Sequence, residues 1–426
     1  MATPRIVRTF GAVNIGSFRI SAMVAGLTET GEMVVLGSGH RAAQGIKRGY
    51  VTDMQAATYA VRDAVERAEK MANTAVTSVW IGSSGAGLAS QVAQVEIDIG
   101  GRRIEEDDIE HLLVAAQGVI QPDGRMVLHA QPAHYTLDGA DGVSDPKGLH
   151  AERLGVDIHV MLADGAPIRN ITETVQNAHL QVEAVVGSPI AAGYACLNPE
   201  ERDLGVALVE FGAEVTNVSV YASGMLLGLV TIPMGSGDVT DAIASAFGIR
   251  RFQAERLKCV HGSAIASPSD HREMIPVNAP GDEMTGPIAR HADDKNRIPR
   301  AELISVITEQ LARLMEEVSR ALKSLGFTGQ RGQQIVLTGG GAELAGLADY
   351  AQAALGKPVR IGRPLHIKGL PEAHATPGFS TLAGLVLYAA ADPIDIRKVG
   401  RGKQEITRFD KLGLVGRLYR AVREYF

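Results

Sequence analysis

Two stretches of this chain read alike at a separation of roughly two hundred residues. Residues 6–25 hold an apolar run, an Asn14-Ile15-Gly16-Ser17 turn and a second apolar run at 19–25, and residues 54–72 downstream have helical spacing. Residues 204–221 repeat the order: an apolar run at 206–209, a turn at 210–216, a second run at 218–221, then a helical pattern at 238–247. A strand–turn–strand unit feeding a helix cannot bury its apolar face alone, so two copies predict a duplicated α/β core. A third segment, 334–355, reads as a short strand at 335–337, then Thr338-Gly339-Gly340-Gly341, then a helix from Glu343 onward.

At 426 residues the chain has room for roughly two to four domain-sized units. Between the repeated blocks, residues 79–160 read as a strand-rich insert, with strands at 79–82, 92–99, 126–135 and 156–161 around a helix at 105–119. Glu105, Glu106, Asp107 and Asp108 open that helix, where its dipole favours acids. Residues 266–299 are Pro-, Gly- and Asp-rich loop leading into a long helix at 300–325. Leu303, Ile307, Leu311, Leu314, Val318, Leu322 and Leu325 form one face of it, which predicts packing on its own domain. Few apolar residues and many charges at 392–408 predict a flexible linker.

Several function classes are set aside by composition. Net charge is −6 and aromatics are 4%, which argues against wholesale nucleic-acid binding. Cys196 and Cys259 cannot make a disulfide framework, so a reducing compartment and two small buried hydrophobes are expected. No structural metal is expected, since no CxxC or His/Cys cluster occurs and the histidines fall at no HxxxH or HExxH spacing. Ser83-Ser84-Gly85 is not a nucleophile elbow, and Trp80 is expected in a buried strand. The start of the chain lacks a basic-then-apolar leader, and no run reaches the eighteen or so apolar residues of a span, so a cytoplasmic, non-spanning protein is expected.

A tight glycine-containing turn offers backbone N–H groups to an anion without side-chain clash. Taken singly, residues 14–17 are an ordinary hairpin and Gly339-Gly340-Gly341 an ordinary strand-to-helix turn. Their order is the stronger signal: turn, insert, second turn in a similar block, loop and long helix, then a glycine run opening a helix. Two hairpins facing a cleft could hold the β- and γ-phosphates of a nucleotide, while the glycine run lets adenine and ribose approach the backbone.

These motifs resemble, in order and along residues 6–426, those of the FtsA family of bacterial cell-division proteins, within the actin, Hsp70 and sugar-kinase superfamily. Residues 14–17 sit at the family's first phosphate motif, 210–216 at the second, and Gly339-Gly340-Gly341-Ala342 at the adenosine motif. Val127-Leu128-His129, Pro146-Lys147-Gly148-Leu149, Ile232-Pro233 and Ala254-Glu255-Arg256-Leu257-Lys258 resemble further family stretches. The resemblance implies an actin-like duplicated ribonuclease-H-type α/β fold, with two lobes around a nucleotide cleft, an inserted 1C subdomain and a C-terminal amphipathic helix. It implies subdomain 1A at 1–81, 165–200 and 366–391, the 1C insert at 82–164, 2A at 201–248 and 335–365, and 2B at 249–334. The linker at 392–408 and a membrane-targeting helix at 409–426 would complete the chain.

The resemblance also implies ATP or ADP, with Mg²⁺, as cofactors. The residues that would hold them are Asn14, Gly16, Ser17, Glu210, Gly212, Ala213, Thr216, Gly235, Ser236, Gly237, Glu255, Lys258, Gly339, Gly340, Gly341 and Ala342. Asn14 and Glu210 would reach Mg²⁺ through water. The family has a carboxylate where this chain has Asn14 and an Asp where it has Glu210, so binding is expected to survive and hydrolysis to be slow or absent. Glu214 beside a triphosphate would be repulsive unless turned away. No catalytic residue is assigned, and the chain is read as an adaptor, at most a weak ATPase. The alternatives are a small-molecule kinase of the same superfamily and an actin-like adaptor of a pilus or secretion apparatus.

Residues 395–426 carry nine Lys or Arg against four acids, leaving the tail at +5 and the remainder at −11. As a helix, Phe409, Leu412, Val415, Leu418, Tyr419, Val422, Tyr425 and Phe426 fall along one side, and Arg417, Arg420 and Arg423 mainly elsewhere. That is the layout of an interfacial helix, with apolar groups below the headgroups and cations on anionic lipids. Each basic residue near such a surface adds about 1 kcal/mol. A terminal helix packed on the body is the bland alternative; the charged linker and basic bias favour the membrane. The implied partners are the C-terminal peptide of the tubulin-like FtsZ on 249–334, further copies of the chain in filaments, anionic lipids and later division proteins, with no nucleic acid. The implied location is the cytoplasmic face of the inner membrane at the division septum.

Overall fold

The computed structural model describes residues 5–85, 87–278, 297–329, 333–364 and 367–399. Two five-stranded sheets of the same design build two lobes. In the first, the hairpin of Ile6–Ile15 and Arg19–Thr28 is extended antiparallel by Met33–Ala42. On its other side Ile6–Ile15 pairs in parallel with Ser78–Ser83, which pairs in parallel with Gln181–Gly187. The second sheet repeats this: Val206–Phe211, Thr216–Ala222 and Met225–Ile232 run antiparallel, then Gln334–Thr338 and Val359–Ile361 join in parallel. The register puts Asn14 opposite Gly82 in one sheet and Glu210 opposite Thr338 in the other, so both expected turns sit at equivalent strand ends.

Helices cover the sheets where the spacing of apolar residues demands it. Met54–Ala72 is capped by Asp53, whose side chain accepts from Ala56 N–H, and it buries Ala57, Ala60, Val61, Ala64, Val65 and Ala68. Arg300–Ser324 buries Leu303, Ile307, Leu311, Leu314, Val318 and Leu322 in the second lobe's core, each worth roughly 1.5–3 kcal/mol. Ser188–Cys196 and Ser380–Ala391 are apolar all round and lie against each other in the first lobe's core. They approach so closely that a Cβ on Gly384 would sit 1.7 Å from the Ala191 carbonyl oxygen.

The insert is a four-stranded antiparallel sheet, in the order Ala89–Asp98, Arg153–Ala163, Met126–Leu137, Ala140–Val143, with Glu106–Val119 packed on it. Glu105 N–H donates to Asp108 at 2.9 Å, and Arg102 grips the same carboxylate. Together these donors hold the Asp108 carboxyl at about 2.

Four local expectations change. The strand placed at 79–82 belongs to the first lobe's sheet, because both its neighbours are parallel strands of that lobe. The helix expected from Glu343 starts at Leu347, since Gly340–Glu343 winds more tightly as a 3₁₀ turn. Cys196 is buried, but Cys259 is exposed on the Arg251–His261 helix. Residues 392–399, read as the start of a flexible linker, fold back onto the insert, with Ile396 fully buried in its core. Residues 409–426, read as a membrane-binding helix, lie outside the described residues. Among the described residues no helix is long and apolar enough to cross a membrane.

Candidate functional site

A cavity of about 450 Å³ opens between the lobes, within the range of small-molecule sites. The first hairpin contributes Asn14, Gly16 and Ser17, and the second contributes Glu210, Gly212 and Ala213. Ser236 and Gly237 reach it from the start of Ser236–Phe247, Glu255 and Lys258 from Arg251–His261, and Gly339, Gly340 and Gly341 from the glycine run. Segments more than three hundred residues apart in sequence thus meet on one hollow. Three residues grouped with them by sequence do not line it. Thr216 is buried and donates to the Met234 carbonyl at 2.8 Å. Gly235 caps the Ser236–Phe247 helix, and Ala342 is buried in the second lobe's core.

The turns need bare backbone. A Cβ on Gly212 would come within 2.6 Å of the Val215 carbonyl oxygen. Gly339 has φ of +85° and would press a Cβ on Phe211 backbone at 2.5 Å. The second hairpin is also held from behind. Ser236 N–H donates to the Gly212 carbonyl at 2.9 Å, and Gly237 N–H to that of Ala213 at 2.6 Å. The first N–H groups of that helix therefore hold the turn, and Ser236 and Gly237 also line the cavity.

Glu210 sits 8% exposed at the junction of the lobes. One oxygen accepts from Thr381 Oγ1 at 2.5 Å; the other accepts from Ser188 Oγ at 2.6 Å and Asn217 Nδ2 at 2.9 Å. Ser188 and Thr381 belong to the first lobe, and Asn217 to the second. The carboxylate is a rivet between lobes, with both oxygens engaged by protein donors. Asn14 Oδ1 faces Gly82, 3.0 Å from where a Cβ would stand there.

At the other end, Lys258 Nζ donates to Ser236 O at 3.0 Å, Thr240 Oγ1 at 2.8 Å and Glu255 Oε2 at 2.9 Å. Burial alone would raise the Glu255 carboxyl, but Lys258 and the Thr240 hydroxyl outweigh it and hold it below its usual value. Arg19 was not anticipated from sequence. Its guanidinium stacks 3.9 Å over the Phe379 ring and donates to the Gly378 carbonyl at 3.1 Å, while Gly378 N–H donates to Glu343 at 3.1 Å. Burial pushes that guanidinium below its ordinary value, and Glu343 acts in the opposite sense. Thr381, Ser188 and Asn217 were equally silent in sequence, being small polar residues of no recognisable motif spacing.

A family model described as cell division protein FtsA matches residues 207–384, and one described as the SHS2 domain inserted in FtsA matches residues 85–162. The second coincides with the insert. A cell division protein FtsA of Agrobacterium fabrum is 34% identical over 400 residues, covering 92% of this chain and 89% of that one. The Escherichia coli K12 protein of that name is 30% identical over 377 residues, covering 88% and 89%.

Among solved structures, a type IV pilus PilM–PilN biogenesis complex superposes with a TM-score of 0.62 at 16% identity, covering 89% of this chain and 98% of that one. MreB5 of Spiroplasma citri bound to ADP gives 0.52 at 12%, covering 90% and 96%. At such identities the likeness establishes the fold alone, a two-lobed actin-like α/β architecture. With similarity to named relatives across nine-tenths of its length and the insert where the family model places it, this chain belongs to the FtsA family of cell division proteins.

Proposed function

We propose that this cell-division protein binds ATP or ADP in the cleft between its lobes. In this reading it polymerises on the cytoplasmic face of the inner membrane at the division septum, ties FtsZ filaments there and helps recruit later division proteins. The observation that carries the nucleotide part is convergence: two bare hairpins, a helix N-terminus and a glycine run line one cavity. These residues fit a nucleotide, whose phosphates would lie between the turn at 14–17 and the turn at 212–215, with the nucleoside toward Glu255, Lys258 and the glycine run. The ADP held by the MreB5 neighbour supports the choice of ligand.

The donor set does not fit a protein-ligated Mg²⁺. Both Glu210 oxygens already accept bonds from Ser188, Asn217 and Thr381, Asn14 is a neutral amide, and no metal-holding group of three His, Cys, Asp or Glu occurs among the described residues. Magnesium would enter as a counter-ion of the phosphates, through water. With both Glu210 oxygens engaged and a neutral amide at Asn14, neither turn position expected to carry a carboxylate is free to orient an attacking water, so turnover is expected to be slow or absent. The kinase reading suffers equally, since it too needs a free base beside the terminal phosphate. Titration with a fluorescent ATP analogue, alongside phosphate release, tests the site. Saturable binding without turnover is expected; absence of binding overturns the clamp, and rapid turnover overturns the adaptor.

Under this proposal residues 249–334 form the face that takes the FtsZ peptide, and the tail holds the membrane through Phe409, Leu412, Val415, Leu418, Tyr419, Val422, Tyr425 and Phe426 with Arg417, Arg420 and Arg423. One such helix binds reversibly, so self-association would multiply the attachment. Identity to division proteins at 34%, against 16% to the pilus complex, favours division over the pilus alternative.

A further inference from the structure

The stretch just before the basic tail is bound to the insert rather than to the lobe it emerges from. Arg397 Nη1 donates to the Val127 carbonyl at 2.6 Å, and its Nη2 donates to that of Leu128. Asp395 pairs with the same guanidinium, Nε to Oδ1 at 2.9 Å, and accepts from Ala130 N–H at 3.4 Å. From the end of Glu106–Val119, Gln117 Nε2 donates to the carbonyls of Ile396 at 2.7 Å and Val399 at 2.8 Å. Ile396 is 0% exposed, among Leu112, Ala116 and Leu154 of the insert's core, and Val399 packs against the same cluster. A strand edge, a helix end and a core position of the insert are thus all completed by residues some 270 positions further on.

The bed beneath this segment is incompletely satisfied. A cavity of about 260 Å³ is lined by Trp80, His129, Tyr388, Asp395 and Arg397. His129 is 3% exposed and neither ring nitrogen has a partner; His159, 4% exposed with its centroid 6.2 Å away, has Nε2 unpartnered. Buried polar groups without partners are costly, so hydration of this bed offsets part of what release would lose.

We infer that residues 395–399 are a releasable clasp that makes the insert the mooring of the tail. Arg397, Asp395 and Gln117 fix residues 395–399 on the insert, and whatever the tail holds acts first there. The mooring stands on these contacts; only its link to lipid rests on the membrane reading above.

Amide hydrogen exchange on the full chain tests it. In the unaltered protein Arg397, Lys398 and Val399 should be protected, since their N–H groups bond to Asp395 Oδ1, Asp395 O and Ile396 O. Arg397→Ala and, separately, Gln117→Ala should speed exchange at 395–399 and at 112–130 by about tenfold, leaving 6–28 and 206–222 unchanged. Arg397→Lys, which keeps charge but cannot span two carbonyls, should fall between. Exchange at 395–399 as fast as in an unstructured peptide, or unmoved by all three variants, would overturn the clasp. With phosphatidylglycerol vesicles added, protection at 112–130 should shift in the unaltered chain and not in Arg397→Ala. Vesicle-bound protein with unshifted protection there would overturn the coupling. Failure to bind vesicles would instead overturn the lipid reading, with the clasp still decided by the variants.

Discussion

Glu214 and Arg48 meet across the cleft: Glu214 Oε2 accepts the Arg48 backbone N–H at 2.5 Å, although 166 positions separate them. Arg48 holds φ at +49°, and its guanidinium lies 4.0 Å from Asp238 of the second lobe. Its neighbour Gly49 donates to Ser17 Oγ at 3.3 Å. The hairpin of Ile46–Lys47 and Tyr50–Val51 therefore bridges the two phosphate-type turns. The carboxylate that looked repulsive in sequence is turned onto the opposite lobe.

Removing that latch should loosen the cleft. Glu214→Ala loses a charge-assisted bond, worth about 1 kcal/mol at so exposed a position, and should speed release of a fluorescent ATP analogue about fivefold. Glu214→Gln keeps an acceptor without the charge and should release at a rate between those of Glu214→Ala and the unaltered chain. Stopped-flow dissociation separates the two; equal rates for all three would remove the latch from the account.

The Glu210 rivet makes a stability prediction. Thr381→Ala withdraws one donor from a buried carboxylate, Thr381 Oγ1 to Glu210 Oε1 at 2.5 Å, and should cost roughly 1.5–3 kcal/mol in urea denaturation. Thr216→Ala removes only a hydroxyl-to-carbonyl bond and should cost roughly 1 kcal/mol.

Lys258 should behave as a strut. Its ammonium is buried on Ser236, Thr240 and Glu255, so Lys258→Ala leaves a partly buried carboxylate unpaired and should destabilise by about 3 kcal/mol. Thermal unfolding without nucleotide measures this. A variant as stable as the parent but defective in nucleotide binding would show the lysine acting on ligand instead.

Stability should fall on mild acidification. Burial lowers His129 to about 3, with His159 reinforcing it, and lowers His159 to about 4. Burial, then His40 and Arg19, lower His374 to about 4, where its ring stacks 4.0 Å from Phe379 and Nδ1 lies 2.9 Å from Ser38 Oγ. Each folded value lies below the unfolded value near 6.5, so the unfolded chain takes up protons first. Their contribution is complete above about pH 6.5 and is lost as pH falls toward about 4 for His159 and His374 and about 3 for His129. Three protons give a slope near 4 kcal/mol per pH unit around pH 5. His159→Leu should flatten it by about one third; an unchanged slope would mean that ring is already solvated.

Much of the architecture was readable because it is periodic. The Met54–Ala72 and Arg300–Ser324 helices follow from apolar spacing, and both hairpins and the glycine run from their turn residues. What joins them was not readable. Ser188, Asn217 and Thr381 reach Glu210 from three elements, and Arg19 meets Gly378 across 359 positions. Such scattered polar side chains leave no periodic trace. Residues 395–399 look like linker because three of the first four are polar or charged, yet Asp395 and Arg397 serve backbone groups of the insert and Ile396 fills its core.

The central claim is that a nucleotide-loaded body is tied to lipid by its tail and carries FtsZ with it. Co-sedimentation with phosphatidylglycerol vesicles tests this most directly, comparing the full chain with a 1–408 truncation, with and without ATP, and with FtsZ filaments added. The account predicts that the full chain pellets with vesicles, more so with ATP, and brings FtsZ down, while the truncation leaves both in the supernatant. Equal pelleting of the two chains, or a vesicle-bound full chain that leaves FtsZ behind, would contradict it.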